Sequence, residues 1–107
     1  MMQTSKNHYV YIWEFEVGPE SEDRFLDFYG PHGVWAKLFA KADGYVGTLL
    51  LCDQARPTRY LTVDRWVSER AFQAFRAQFQ VEYDELDRAC EPFTTHEASL
   101  GSYRAAS

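Results

Sequence analysis

The sequence predicts an α+β fold in which a four-stranded antiparallel sheet carries two segmented helices on one face. Four stretches alternate and are rich in β-branched and aromatic residues, and two longer stretches have apolar residues at helical spacing. These stretches follow one another as strand, helix, strand, strand, helix, strand. Two right-handed crossovers around a central β-hairpin turn this order into a ferredoxin-like βαββαβ sheet.

The strands are expected over residues 8–17, 45–52, 59–67 and 93–103. The first helix contains the run Gly30-Pro31-His32-Gly33, which interrupts it because proline and glycine disfavour the helix interior. The second helix follows Ser68, whose hydroxyl suits an N-cap, and continues in two stretches to Cys90. Each crossover is therefore expected as a pair of helical segments.

Length and composition fit one domain over residues 1–107, with its core in 8–103, since domains of about 100–150 residues are the commonest. Apolar residues make up 46% of the chain and aromatic residues 17%. The interior of so small a domain is too limited to bury all of these aromatic side chains. We therefore expect aromatic side chains in a cavity or at a subunit interface.

Charge and patterning exclude several classes of partner. The net charge of −5, with no basic stripe, argues against nucleic acid, and the apolar runs are too short to span a membrane. Residues 1–7 lack the apolar core of a secretory signal, so we expect a cytoplasmic protein. Cys52 and Cys90 are then expected as free thiols. Neither their spacing nor the isolated histidines suggest a metal site, and no cofactor is expected.

Alternation along the first two strands places apolar residues on both faces of the sheet. Helices cover only one face, and an apolar sheet face is rarely left in water, so a second copy is expected to cover the other. One face of the first strand carries Tyr9, Tyr11, Trp13, Phe15 and Val17, and the other face carries Val10 and Ile12. The second divides into Tyr45, Leu49 and Leu51 against Val46, Leu50 and Cys52.

The third strand and the start of the second helix resemble the antibiotic biosynthesis monooxygenase family of the dimeric α+β-barrel superfamily. The resemblance runs from about Tyr9 to Tyr103 and rests on the element order and on matching residues. These are Tyr60-Leu61-Thr62-Val63-Asp64-Arg65-Trp66, Ser68, Ala71-Phe72, Glu97 and Gly101. It implies a homodimer whose sheets face each other, with a ligand cavity in each subunit between sheet and helices. Its members include oxygenases that need no metal or flavin, haem-degrading enzymes and isomerases.

At two sets of positions this sequence departs from residues typical of characterised family members, which limits the activities that the resemblance implies. Oxygenases of aromatic polyketides have a Trp that Trp66 matches, but their Asn and Tyr positions hold Thr62 and Phe72 here. Haem-degrading members have a Trp where this chain has Phe75, and no histidine stands near Tyr83. Haem degradation is therefore not expected.

Asp64 and His32 are the candidate catalytic residues. Asp64 shares a strand face with Trp66, which the resemblance places at the cavity, and a carboxylate there would act as base or anchor. The alternative is a carboxylate paired with an arginine or the backbone. His32 lies in the helix break and would transfer protons, unless it is a surface loop residue. We expect the two to meet each other or a shared ligand.

The ligand would be a small flat aromatic or quinol-like molecule. The residues expected to bind it are Trp66, Trp35, Thr62, Tyr60, Phe72 and Tyr83. The alternative for the aromatic members is plain core packing. The sequence thus favours a cofactor-independent monooxygenase. A non-catalytic barrel that binds a small ligand or serves in stress response, and an isomerase or cyclase, remain as alternatives.

Overall fold

The computed structural model describes residues 8–106 and has the predicted order of elements. Residues 1–7, for which no secretory signal is expected, lie outside the described residues. The strands are β1 (Tyr9–Val17), β2 (Tyr45–Cys52), β3 (Arg59–Trp66) and β4 (Thr94–Arg104). The helices are α1 (Glu22–Tyr29), α2 (Val34–Phe39), α3 (Glu69–Gln78) and α4 (Gln80–Cys90). Short 3₁₀ turns, Pro19–Ser21 and Glu91–Phe93, precede α1 and β4.

The strands form one antiparallel sheet in the order β2-β3-β1-β4, with the helices on one face. This confirms the predicted ferredoxin-like α+β fold. No helix within residues 8–106 has the length and apolar character needed to cross a membrane. Cys52 is exposed and Cys90 is buried, and both are free thiols as expected.

Both helical crossovers are divided where the sequence indicates. A Cβ on Gly33 would lie 2.5 Å from the carbonyl oxygen of Asp27, so the close approach of α1 to α2 requires glycine at this position. The second crossover is divided at Phe79, between α3 and α4. Ser68 accepts a 3.1 Å hydrogen bond from the backbone N–H of Ala71, which confirms it as the N-cap of α3.

The helix-facing side of β3 carries four buried residues in strict alternation, as predicted: Tyr60, Thr62, Asp64 and Trp66. Trp66 is completely buried and packs against Phe39 and Phe75, with ring centroids 5.7 and 5.1 Å apart. Phe25 and Phe75 are also almost fully buried. The core is therefore a network of aromatic rings that holds the helices against the sheet.

The faces of β2 differ from those that simple alternation predicts. Tyr45 pairs with Trp66, but Gly47 pairs with Arg65, so the register shifts by one residue at a bulge. After the bulge Thr48 and Leu50 share the helix-facing side with Tyr45, and Leu49 and Leu51 face away. The assignment of Leu49 and Leu51 to the face of Tyr45 was wrong because the extra residue at the bulge inverts the alternation.

The face of the sheet opposite the helices, here called the outer face, is partly apolar and partly charged. Leu49, Leu51 and Tyr103 are 54%, 45% and 51% exposed. At one end of this face Arg59 forms ion pairs with Glu14 at 2.7 Å and with Asp53 at 3.2 Å. The outer face thus combines exposed apolar side chains with a fixed pattern of charges.

Candidate functional site

A cavity of about 280 Å³ lies between the sheet and the helices. Its aromatic walls include Tyr11, Trp13, Tyr29, Trp35 and Tyr83. Its polar residues are Thr48, Thr62, Asp64, Arg76, Asp87 and Glu97. Ligand sites of proteins commonly enclose about 300–1,000 Å³, so this cavity suits a molecule of one or two rings.

Asp64 is the buried carboxylate of the cavity, with only 6% of the residue exposed. Thr48, directly opposite it in the β2–β3 pairing, donates a 2.5 Å hydrogen bond from Oγ1 to Oδ1. No lysine, arginine or histidine of residues 8–106 forms an ion pair with Asp64. The alternative prediction for Asp64 was a carboxylate paired with an arginine or the backbone. The structure shows a hydroxyl group, that of Thr48, as its hydrogen-bond partner instead.

A second hydroxyl extends this contact. The Tyr45 hydroxyl lies 2.6 Å from Thr48 Oγ1. Because the single hydroxyl proton of Thr48 goes to Asp64, Tyr45 is the donor to Thr48. Burial raises the pKa of Tyr45, which keeps its phenol protonated and able to donate. Two hydroxyls in series thus orient one oxygen of the carboxylate.

Burial raises the pKa of Asp64 from 3.8 to about 6, although the Thr48 hydrogen bond acts in the opposite direction. Tyr11 faces Asp64 from β1, and its pKa is raised by burial and then by the charge of Asp64. A carboxylate that ionises close to neutral pH can accept and return a proton. The geometry and the electrostatics both suit Asp64 to act as a general base.

Opposite the sheet, a cation and two aromatic rings are in contact in series. The Arg76 guanidinium carbon lies 3.9 Å from the centroid of the Tyr83 ring, and Tyr83 meets Trp35 edge to face at 4.9 Å. Asp87 and Glu97 also line the cavity but are exposed, so they lie at its mouth. The buried carboxylate and the exposed carboxylates thus occupy different depths.

Four of the candidate residues line the cavity: Asp64, Thr62, Trp35 and Tyr83. Trp66 and Phe72 lie behind its wall, where each contacts Tyr11. Trp66 donates Nε1–H to the Tyr11 hydroxyl at 3.4 Å, and the Phe72 ring centroid is 4.8 Å from that of Tyr11. Tyr60 is also outside the lining and donates a 2.6 Å hydrogen bond to Glu22.

His32 is exposed in the turn between α1 and α2 and does not line the cavity. The structure therefore does not bring it to Asp64, and the expected sharing of a ligand has no support in this arrangement. The position of His32 matches the alternative prediction, that of a residue in a surface loop. Of the two candidate catalytic residues, Asp64 alone lines the cavity.

Sequence reasoning missed Thr48 and Arg76 as cavity residues. The signal for Thr48 was Gly47, since a glycine inside a strand often marks a bulge. The signal for Arg76 was its spacing of four residues from Phe72, which places both on neighbouring parts of one helix face. Within residues 8–106 no group of three or more His, Cys, Asp or Glu side chains is placed to hold a metal ion.

We expect Thr48→Val to raise the pKa of Asp64 further, because it removes the hydrogen bond that favours the charged carboxylate. The midpoint should rise by about one pH unit or more, since a hydrogen bond to a charged group is worth about 1.5–3 kcal/mol and about 1.4 kcal/mol corresponds to one unit. Carbon-detected NMR titration of the Asp64 carboxyl measures this. Thr58→Val, which removes a hydroxyl bonded to Glu16 instead, is the control. An unchanged midpoint in Thr48→Val would contradict the assigned hydrogen bond.

Asp64 should also make the stability of the fold depend on pH. Its pKa is about 6 in the folded chain against 3.8 as the ordinary value, so the folded state holds the proton more tightly. This stabilisation is complete below about pH 4 and is lost as pH rises through 6. The loss amounts to about 3 kcal/mol of unfolding free energy.

The unfolding free energy of Asp64→Asn relative to that of wild type should therefore rise by about 2 kcal/mol between pH 4 and pH 7. Urea unfolding at the two pH values measures the difference. Glu85→Gln, at an exposed site on α4, should follow the wild type at both. A constant difference between wild type and Asp64→Asn would show that the carboxylate ionises normally.

Solved structures of the same fold match nearly the whole chain. A mutant of SnoaB, a cofactor-independent oxygenase from Streptomyces nogalater, matches with a TM-score of 0.72 and 21% identity, over 94% of this chain and 95% of that chain. A conserved protein from Methanosarcina mazei Go1 matches with a TM-score of 0.71 and 12% identity, also over 94% and 95%. At these identities the likeness is one of fold. No curated protein is similar enough in sequence to count as a match.

A family model adds evidence from the sequence itself. The model described as antibiotic biosynthesis monooxygenase matches residues 9–82, which is more than half of the chain. The matched region contains β1 to β3 and all of α3, and so includes Asp64, Thr48 and Arg76. The chain therefore belongs to the antibiotic biosynthesis monooxygenase family.

Proposed function

We propose that the chain is a monooxygenase that uses no metal or organic cofactor and acts on a small flat aromatic, quinol-like molecule in the cavity. The observation that carries the proposal is the buried Asp64 in an aromatic cavity of about 280 Å³. Membership of the family supports oxygenation. The cofactor-independent activity stated for SnoaB, which shares the fold, supports the absence of a cofactor.

In the proposed reaction the substrate itself reduces oxygen. Asp64 removes a proton from an activated methylene in the keto form of the ring. The resulting carbanion passes one electron to O₂, and the two radicals combine to form the carbon–oxygen bond of a peroxide anion. Return of the proton from Asp64 gives a hydroperoxide. Loss of water then leaves a carbonyl, so the carbon is oxidised by four electrons, one oxygen atom stays and the other leaves as water.

The protein's contributions are desolvation, orientation and the base. Tyr83 and Trp35 hold a flat ring by edge and face contacts, and Thr62 offers a hydroxyl to a ring oxygen. Exclusion of water raises the energy of the carboxylate and strengthens its basicity. Each of these contributions comes from a residue that the cavity already contains.

The alternatives differ from this proposal in what they require of the cavity. A non-catalytic binding barrel would fit a cavity filled by its own side chains, or one with no polar group near Asp64. The cavity is open, and Thr48 bonds directly to Asp64. An isomerase or cyclase would use the same base without oxygen, so oxygen consumption separates it from a monooxygenase.

We expect wild-type protein to consume oxygen with at least one member of a panel of one- and two-ring hydroquinones. Asp64→Asn should lower the rate at least about 100-fold, since a general base typically contributes 10²–10⁴. The rate should rise with pH through about 6 as Asp64 ionises. Asp53→Asn, on the outer face, is the control.

Three results would count against the proposal. Substrate conversion without oxygen uptake would indicate an isomerase or cyclase, and tight binding without any conversion would indicate a binding protein. A rate that Asp64→Asn leaves unchanged would place the base elsewhere.

We also propose that the outer face is covered by a second copy of the chain. Leu49, Leu51 and Tyr103 are about half exposed on this face, although they belong to the strands of the sheet. Exposed apolar patches of this kind mark interaction surfaces. A symmetric pair would bury the face of each chain against that of its partner.

Leu49→Lys should weaken the dimer at least tenfold, because it places an unpaired charge at the buried face of both copies. Sedimentation equilibrium measures the dissociation constant. Val81→Lys, at a 68% exposed position on α4, should leave it unchanged. A wild-type chain that sediments as a monomer would contradict the proposed interface.

A further inference from the structure

Two buried side-chain atoms of residues 8–106 have no hydrogen-bond partner: Trp35 Nε1 and Arg76 Nε. Both are N–H donors, and both belong to side chains that line the cavity. Buried polar groups in native proteins nearly always have hydrogen-bond partners, so a buried donor without one calls for an explanation, and a bound ligand is one such explanation. The Arg76 Nε–H is thus a donor that no acceptor of residues 8–106 reaches, and a ligand that brings an acceptor oxygen would complement it.

Arg76 is the stronger of these two donors. No carboxylate of residues 8–106 forms an ion pair with it, and its charge lies over the Tyr83 ring. Contact with a ring face engages the charge of a guanidinium but satisfies none of its N–H groups. Arg76 is therefore positioned by Tyr83, and its buried Nε–H has no acceptor among residues 8–106.

The other charged groups that face the cavity have different surroundings. Asp64 on β3 is buried and accepts from Thr48, and Asp87 on α4 and Glu97 on β4 are exposed at the mouth. Tyr83 on α4 stays neutral because burial raises its pKa. An approaching ligand meets negative charge at the mouth and, on the helix side of the cavity wall, a guanidinium without an ion-pair partner among residues 8–106.

We propose that Arg76 binds a phenolic oxygen of the substrate, and that the substrate is a phenol or quinol that is neutral on entry and becomes anionic in the cavity. This inference deepens the proposed function and rests on it for the role of Asp64. The exposed carboxylates Asp87 and Glu97 at the mouth slow the entry of a permanent anion but not that of a neutral phenol, and solvent screens them from the interior where Arg76 binds the anion. The negative charge that develops when Asp64 removes a proton is delocalised onto the phenolic oxygen, where Arg76 stabilises it.

The test uses 4-nitrophenol, whose phenolate absorbs visible light, and 4-nitroanisole, which has the same ring and cannot ionise. Binding is measured under nitrogen, so that no turnover is involved. Wild type should bind the phenolate at least tenfold more tightly than the anisole. The ionisation midpoint of bound 4-nitrophenol should lie at least one pH unit below that of the free ligand.

Arg76→Gln should abolish both effects and leave binding of the anisole within about twofold. Arg70→Gln removes an exposed arginine of the same helix and should retain both effects. Arg76→Lys keeps the charge and the stem over Tyr83, so it should retain part of the phenolate preference even if Arg76→Gln folds poorly. Unchanged phenolate binding in Arg76→Gln, no phenolate preference in wild type, or no binding of either probe would overturn the inference.

Asp64→Asn distinguishes this inference from the proposed function. It should retain or strengthen phenolate binding, because it removes a negative charge from the cavity, while losing oxygen uptake. Wild-type protein that binds phenolate through Arg76 and consumes no oxygen would overturn the oxygenase alone. Oxygen uptake that Asp64→Asn abolishes, without phenolate preference, would overturn the role of Arg76 alone.

Discussion

The hydrogen bond from Thr48 to Asp64 ties the register of the β2–β3 hairpin to the chemistry of the cavity. Thr48 reaches Asp64 only because the bulge after Tyr45 inverts the alternation of β2. Without it, Thr48 would face away from the helices, and the buried carboxylate would lose this hydroxyl. A buried charge without hydrogen bonds is costly, so the bulge is a condition for retaining an aspartate here. The orientation of the carboxylate depends on this local irregularity, and the hydrogen bond that it permits limits how far burial raises the pKa of Asp64.

The aromatic core has a related role, since it keeps the cavity walls in place. Trp66 and Phe72 lie outside the cavity, yet both contact Tyr11, which forms part of the wall. Tyr83 is fixed on one side by Trp35 and on the other by the Arg76 guanidinium. The large share of aromatic residues therefore forms a rigid frame around an open space, with a few polar groups at defined points. Such preorganisation is what catalysis by positioning requires.

The sequence was most informative where its periodicity was unbroken. The strict alternation of β3 predicted the face shared by Asp64 and Trp66, and the turn residues predicted the divided helices. Alternation predicts which face of a strand a residue lies on but not which part of that face borders the cavity. The sequence therefore could not show that Trp66 and Tyr60, at the two ends of β3, lie outside the cavity lining. The bulge in β2 changed the parity, and the long side chain of Arg76 reaches a cavity that its half-buried helix position does not reveal. His32 was predicted to transfer protons because of its side-chain chemistry and its place in the helix break. It lies in solvent instead, since neither feature determines where the side chain points.

Alternate residues of β1 belong to two different surfaces of the molecule. Tyr11 and Trp13 line the cavity, and Val10 and Ile12, between them along the strand, belong to the outer face. Tyr11 is paired with Asp64 across β1 and β3, so the backbone of β1 positions the cavity wall and the outer face together. One strand thus forms part of both surfaces, and a substitution on either side of β1 has to be compatible with the packing on the other.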